Sequence, residues 1–135
     1  MSYSLTEIKG LEAADAAKLE KVGVSNTEQL LERVRTPRDR KALADETGIS
    51  GDNILAWANR ADLMRVKGVG RQYGDLLEAS GVDTVPELAQ RNPANLRARM
   101  AEVNEEQSLV GSLPSESQVA DWVGQAKDLG RVLEY

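Results

Sequence analysis

The sequence predicts an all-α protein in which one helical unit is used twice, and three observations predict it. Shifting the 135-residue chain by 58 positions lays Leu5, Ile8, Lys9, Gly10, Leu11, Ala16 and Leu19 on Leu63, Val66, Lys67, Gly68, Val69, Gly74 and Leu77. The agreement continues from Gly23-Val24 to Gly81-Val82 and from Leu30 to Leu88, and self-similarity at one offset signals a repeat architecture. Second, Ile54, Trp57, Ala58 and Ala61 follow the i, i+3, i+4, i+7 spacing of one helical face, as do Val119, Trp122, Val123 and Ala126. Third, no run alternates apolar and polar residues over the length of a strand.

Helices are expected near 12–22, 27–35, 37–47, 52–61, 71–80, 85–91, 94–105 and 116–129. Thr36-Pro37 and Asn92-Pro93 each pair an N-capping residue with a proline at the first helical position. Gly23, Gly48 and Gly81 fall where helices end. Ser115 and Gln118 form a capping box that opens the last helix. Val110–Pro114 is the clearest break in the second unit. Residues 1–64 form the first unit and 65–135 the second, with no Pro/Gly/Ser-rich spacer between them. The two are therefore expected to pack as one pseudo-symmetric, compact domain.

The stretch Leu63–Leu77 organises the second unit. An apolar residue, then Gly, apolar, Gly, then a helix with a small residue four positions on, is the pattern of a helix-hairpin-helix. Gly68 and Gly70 let the backbone turn tightly and bring N–H groups toward a phosphate at a helix start. Lys67 and Arg71 flank that point with positive charge, so Lys67, Gly68, Val69, Gly70 and Arg71 are the candidate phosphate-binding residues. The other reading is that Gly-Val-Gly is only the corner of a packed helix pair. Gly74 is the expected small residue at the helix crossing. In the first hairpin Glu12 replaces the second glycine, which sets a negative charge where a phosphate would approach. That hairpin is read as structural.

Arg33, Arg35, Arg38, Arg40 and Lys41 make the densest basic run, five in nine residues. With Arg60 and Arg65 they form a candidate auxiliary face for the backbone of a nucleic acid. A solvated helix corner, paired with Glu28, Glu32, Asp45 and Glu46, is the competing account. Trp57 and Trp122 lie on the apolar stripes and are assigned to the core rather than to base stacking. Tyr73 is assigned to the core as well, while Tyr3 and Tyr135 carry no signal.

Composition narrows the chemistry. The chain has no cysteine and no histidine, which excludes disulfides, Cys/His metal sites and imidazole catalysis. No Asp/Glu cluster recurs at two-metal spacing, so a non-enzyme is expected. No apolar run has the length of a membrane span, and a cytoplasmic protein without a membrane partner is expected. Net charge is −5, yet residues 65–100 carry six basic against four acidic side chains, and 101–135 two against seven. The acidity is concentrated at the C-terminal end and leaves room for a phosphate-binding face.

Leu63–Leu77 resembles the helix-hairpin-helix modules of DNA repair and recombination proteins, which hold duplex backbone without reading sequence. That resemblance implies that carbonyls of the second hairpin can hold a monovalent cation; no other cofactor is expected. The phrases Gly23-Val24, Thr36–Arg40, Trp57–Arg65, Glu87–Pro93 and Ala126-Lys127 are similar to a bacterial family, domain of unknown function 4332, over about Ile8 to Leu129. The similarity implies a tandem helix-hairpin-helix with a SAM-domain-like helical fold, and no activity. Gly81–Leu88 also resembles the C-terminal domain of bacterial RNA polymerase alpha subunits, which contacts DNA backbone and regulators. Two partners therefore stay open: DNA, bound through backbone phosphates, or a protein, bound by an adaptor that kept the fold alone.

Overall fold

The computed structural model describes residues 2–135, and the regular elements among them are all helices. A short 3-10 turn at Leu5–Glu7 precedes α1 (Ala13–Glu20), α2 (Thr27–Arg33), α3 (Pro37–Thr47) and α4 (Gly51–Leu63). Then follow α5 (Arg71–Ala79), α6 (Val85–Ala89), α7 (Pro93–Gln107) and α8 (Glu116–Leu129). Helix ends fall where side chains supply the first backbone donors with acceptors. Asn26, Thr36, Ser50, Thr84, Asn92 and Ser115 each accept from a backbone N–H in the first turn of the helix they open. Each such cap stabilises its helix by about 1 kcal/mol. The expected capping box of Ser115 and Gln118 is formed, and Gly48 closes α3 in the left-handed conformation at φ 75°.

Buried side chains divide into two clusters that change over within one turn of helix. Leu5, Ile8, Leu19, Leu30, Leu43, Trp57 and Met64 belong to the first, and Leu63, Val66, Leu77, Leu88, Met100 and Trp122 to the second. In the first half α4 packs on α2 and α3; in the second α8 packs on α6 and α7. The two tryptophans sit at matching places in these arrangements and are 3% and 2% exposed, which makes them core anchors.

Polar contacts join the halves. The Arg60 guanidinium on α4 is buried and pairs with Asp75 and Glu78 of α5. Asp62, also buried, accepts from Val85 N–H at 3.0 Å and from Arg65 at 2.8 Å, so one carboxylate caps α6 and holds an arginine. A buried ion pair of this kind contributes little net stability, but losing one partner would leave a charge stranded.

The final residues differ from expectation. After α8 the chain crosses back to the first half, and Leu133 enters the first core at 1% exposure. Glu134 N–H donates to Arg35 O at 2.7 Å, and Arg40 Nη2 donates to Glu134 O at 2.7 Å. The Tyr135 ring lies 5.7 Å from the Arg40 guanidinium and 5.6 Å from that of Arg131, and its hydroxyl donates to Asn59 Oδ1 at 2.6 Å. Tyr135 therefore carries structural meaning that its place in the sequence conceals.

Candidate nucleic-acid interface

The chain leaves α4 through Met64–Lys67 and reverses at Gly68, where φ is +95°. A side chain there would be strained, and its Cβ would lie 3.0 Å from Trp122 Nε1. Val69 is fully buried in the second core, and its N–H donates to Val66 O at 3.1 Å. Gln125 on α8 clamps the turn from the side: Lys67 N–H donates to Gln125 Oε1 at 2.8 Å, and Gln125 Nε2 donates to Lys67 O at 3.2 Å. Gly68 and Val69 thus shape the turn, while the Lys67 and Arg71 side chains are exposed at its rim.

Gly70 opens α5, and it brings no side chain to the helix start. Every other α-helix among the described residues has a capping side chain on its first turn; at α1 it is Asp15, whose Oδ2 accepts from Glu12 N–H at 3.1 Å. The first turn of α5 also holds no acidic residue. Its leading N–H groups have no partner inside the helix, and together with the helix dipole they form a patch of positive potential. Arg71, the first residue of α5, donates from its guanidinium to Thr6 O at 3.4 Å. Tyr3, half-buried, approaches the same place, 3.8 Å from where a Gly70 Cβ would stand. The carbonyls of Val66 and Lys67 already accept internal hydrogen bonds.

The basic residues of the expected auxiliary face do not share one fate. Arg40 is buried and donates to Val34 O and Glu134 O. Arg65 donates to Asp62, Gly130 O and Leu129 O, so it closes the C-terminal end of α8 rather than facing solvent. Arg33 is half-buried, donating to Val22 O at 2.7 Å and pairing with Glu46 at 3.2 Å. Lys41 pairs with Asp45 at 3.8 Å in full exposure, a contact of little weight. Arg35 lines a cavity of about 270 Å³ with Glu28, Glu32 and Arg65, and Arg38 is exposed. Arg60, read as an extension of that face, is buried against two carboxylates instead.

Gly74 is buried, and its neighbour comes from α4. A Cβ at this position would lie 3.2 Å from Arg60 Cδ and 3.3 Å from its Nη1. The small residue makes way for the Arg60 side chain, which reaches α5 from α4, the helix before the turn. Tyr73 does pack as expected, its ring 5.2 Å from that of Trp122 and its hydroxyl donating to Ser112 O at 3.1 Å. Among the described residues no group of three carboxylates could hold a metal ion, and no helix is long and apolar enough to cross a membrane.

No curated protein and no solved structure matches the chain. One family does, and its sequence model spans the glycine turns, both tryptophan helices and everything between them, from residue 9 to residue 129. The chain belongs to that family, described as Domain of unknown function (DUF4332).

Proposed function

We propose that this chain is a non-enzymatic, cytoplasmic module that binds duplex DNA through backbone phosphates, without reading sequence. In this reading the two halves are tandem helix-hairpin-helix units working as one compact domain, and only the second holds DNA. The observation that carries it is the bare N-terminus of α5, where Gly70 supplies no cap and Lys67 and Arg71 stand beside the free donors. A phosphate oxygen satisfies such donors, and the dipole and the two cations favour it. Gly68 and Val69 contribute by fixing the turn. The auxiliary face reduces to Arg35, Arg38 and Lys41, since Arg33, Arg40 and Arg65 are engaged internally.

The test is binding of a labelled random-sequence duplex across a salt series, with Gly70→Glu alongside. Gly70 has φ −101°, which any residue adopts, and a Cβ there meets only Tyr3 at ordinary contact distance. The variant should therefore fold while placing a carboxylate on the site. Binding should weaken linearly in log salt with a slope of about −2, as for two phosphate contacts. Gly70→Glu should weaken it at least about tenfold, the scale of one charge-assisted contact. Absence of binding at low salt refutes the reading and favours the second one, a protein-interaction adaptor. That alternative draws on the internal use of Arg40, Arg60 and Arg65, which leaves little free positive charge.

A further inference from the structure

We infer that the groove seating Leu133–Tyr135 is an interface that a second copy of this chain can fill, the two copies exchanging their Gly130–Tyr135 segments. This inference is independent of DNA binding.

The segment is held in the way extended peptides are recognised, by main-chain hydrogen bonds and pockets for alternate side chains. Leu133 fills the first core, the Glu134 backbone is bonded on both sides to Arg35 and Arg40, and Tyr135 is fixed by Asn59 and the Arg40 guanidinium. Pro37, Lys41, Ala44, Gly51 and Leu55 line the adjoining groove beside Tyr135. All of these partners lie in α3, α4 or the loop before α3, whereas the segment is tethered to α8. The seat therefore recognises a sequence delivered from the other half of the molecule, and another copy can deliver the same sequence with the same contacts.

The tether is short. Only Gly130, Arg131 and Val132 separate the last residue of α8 from the buried Leu133. Gly130 takes φ 71°, ψ 175°, a conformation essentially confined to glycine. Short hinges invite exchange, because opening the hinge is the only change between the closed and the exchanged form. The family match covers residues 9–129 and does not include this segment.

Alanine at position 130 isolates the hinge. A Cβ there meets no atom within 4 Å, so Gly130→Ala strains the closed backbone without a clash. Sedimentation of the full chain and of Gly130→Ala over a range of protein concentrations measures the exchange. Gly130→Ala should associate about tenfold more tightly than the natural chain, the effect of a modest backbone strain. Adding Tyr135→Ala should leave that gain in place, because the closed and the exchanged forms seat the ring through the same contacts. A Gly130→Ala chain that sediments like the natural one, or an association lost on adding Tyr135→Ala, overturns the inference. Should Gly130→Ala fail to fold, a labelled peptide copying residues 130–135 decides. It should bind Tyr135→Ala more tightly than the natural chain, whose own segment competes; equal or absent binding overturns the inference.

Discussion

At Gly10 and Gly68 the chain turns with φ +84° and +95°, and in each case an indole from a later helix, Trp57 or Trp122, lies against the turn. Each turn is followed two residues later by the N-cap of a helix, Glu12 for α1 and Gly70 for α5. There the likeness ends. At α1, Asp15 covers the Glu12 N–H, and two carboxylates stand on the helix start. At α5 no side chain does, and the charged residues that flank the turn in sequence are Lys67 and Arg71. The same backbone thus offers a capped, negatively charged helix end in one half and an open, positively charged one in the other. Helix capping and anion binding compete for the same N–H groups, so a helix that caps itself gives up the ligand.

The largest effect should come from the two turn glycines. Gly68→Ala combines a left-handed φ with a Cβ at 3.0 Å from the Trp122 indole, whereas at Gly10 the matching distance to Trp57 is 3.8 Å. The first change should cost about 3 kcal/mol, backbone strain plus overpacking, and the second about 1 kcal/mol. Thermal melts of both variants measure the gap; equal losses would show that the indoles do not constrain the two turns differently.

Gln125 sharpens the comparison next. It closes two hydrogen bonds on the Lys67 backbone, while Arg60, at the matching place on α4, reaches α5 instead. Gln125→Ala should cost about 1 to 2 kcal/mol, from two lost bonds at a partly wet site. Amide exchange at Lys67 should accelerate in this variant, while that at Lys9 stays unchanged.

A smaller effect tests whether the carboxylates are what separates the two helix ends. Glu12→Gly with Asp15→Ala copies the open end into the first half. Duplex affinity should rise about threefold, the contribution of one weak phosphate contact. No change would assign the difference to Lys67 and Arg71 rather than to the cap.

Much of this was legible from local pattern. Ser115, Thr36-Pro37 and Asn92-Pro93 mark helix starts through chemistry that acts within four residues, and the tryptophan helices follow from their spacing. The unreadable parts depend on contacts far apart in sequence. Nothing near Arg60 announces that Asp75 and Glu78 will surround it, or that Gly74 is small on its account. Arg40 and Arg65 look like surface charge until the chain after α8 brings them the carbonyls of Glu134, Leu129 and Gly130. That returning segment is too short to show a period, so Leu133 and Tyr135 carried no signal.

The smallest expected effect concerns Asp83, where the halves differ by one charge: the matching residue of the first half is Ser25. Partial burial pushes the Asp83 carboxyl above its ordinary value of 3.8, Glu87 and Glu78 push it further, and Arg60 pulls it back. A carboxyl raised in the fold binds its proton more tightly there than in the unfolded chain. Its contribution to stability is therefore full below its unfolded pKa of 3.8 and is lost as pH rises through the folded value. At neutral pH the ionised group opposes folding, and Asp83→Asn should raise stability slightly, by no more than about 0.3 kcal/mol, because solvent screens a carboxyl this exposed. Near pH 3 both forms are uncharged at this position and the advantage should vanish. Melting both proteins across that range gives the answer, because a gain that persists in acid would come from the amide's hydrogen bonding and not from the charge.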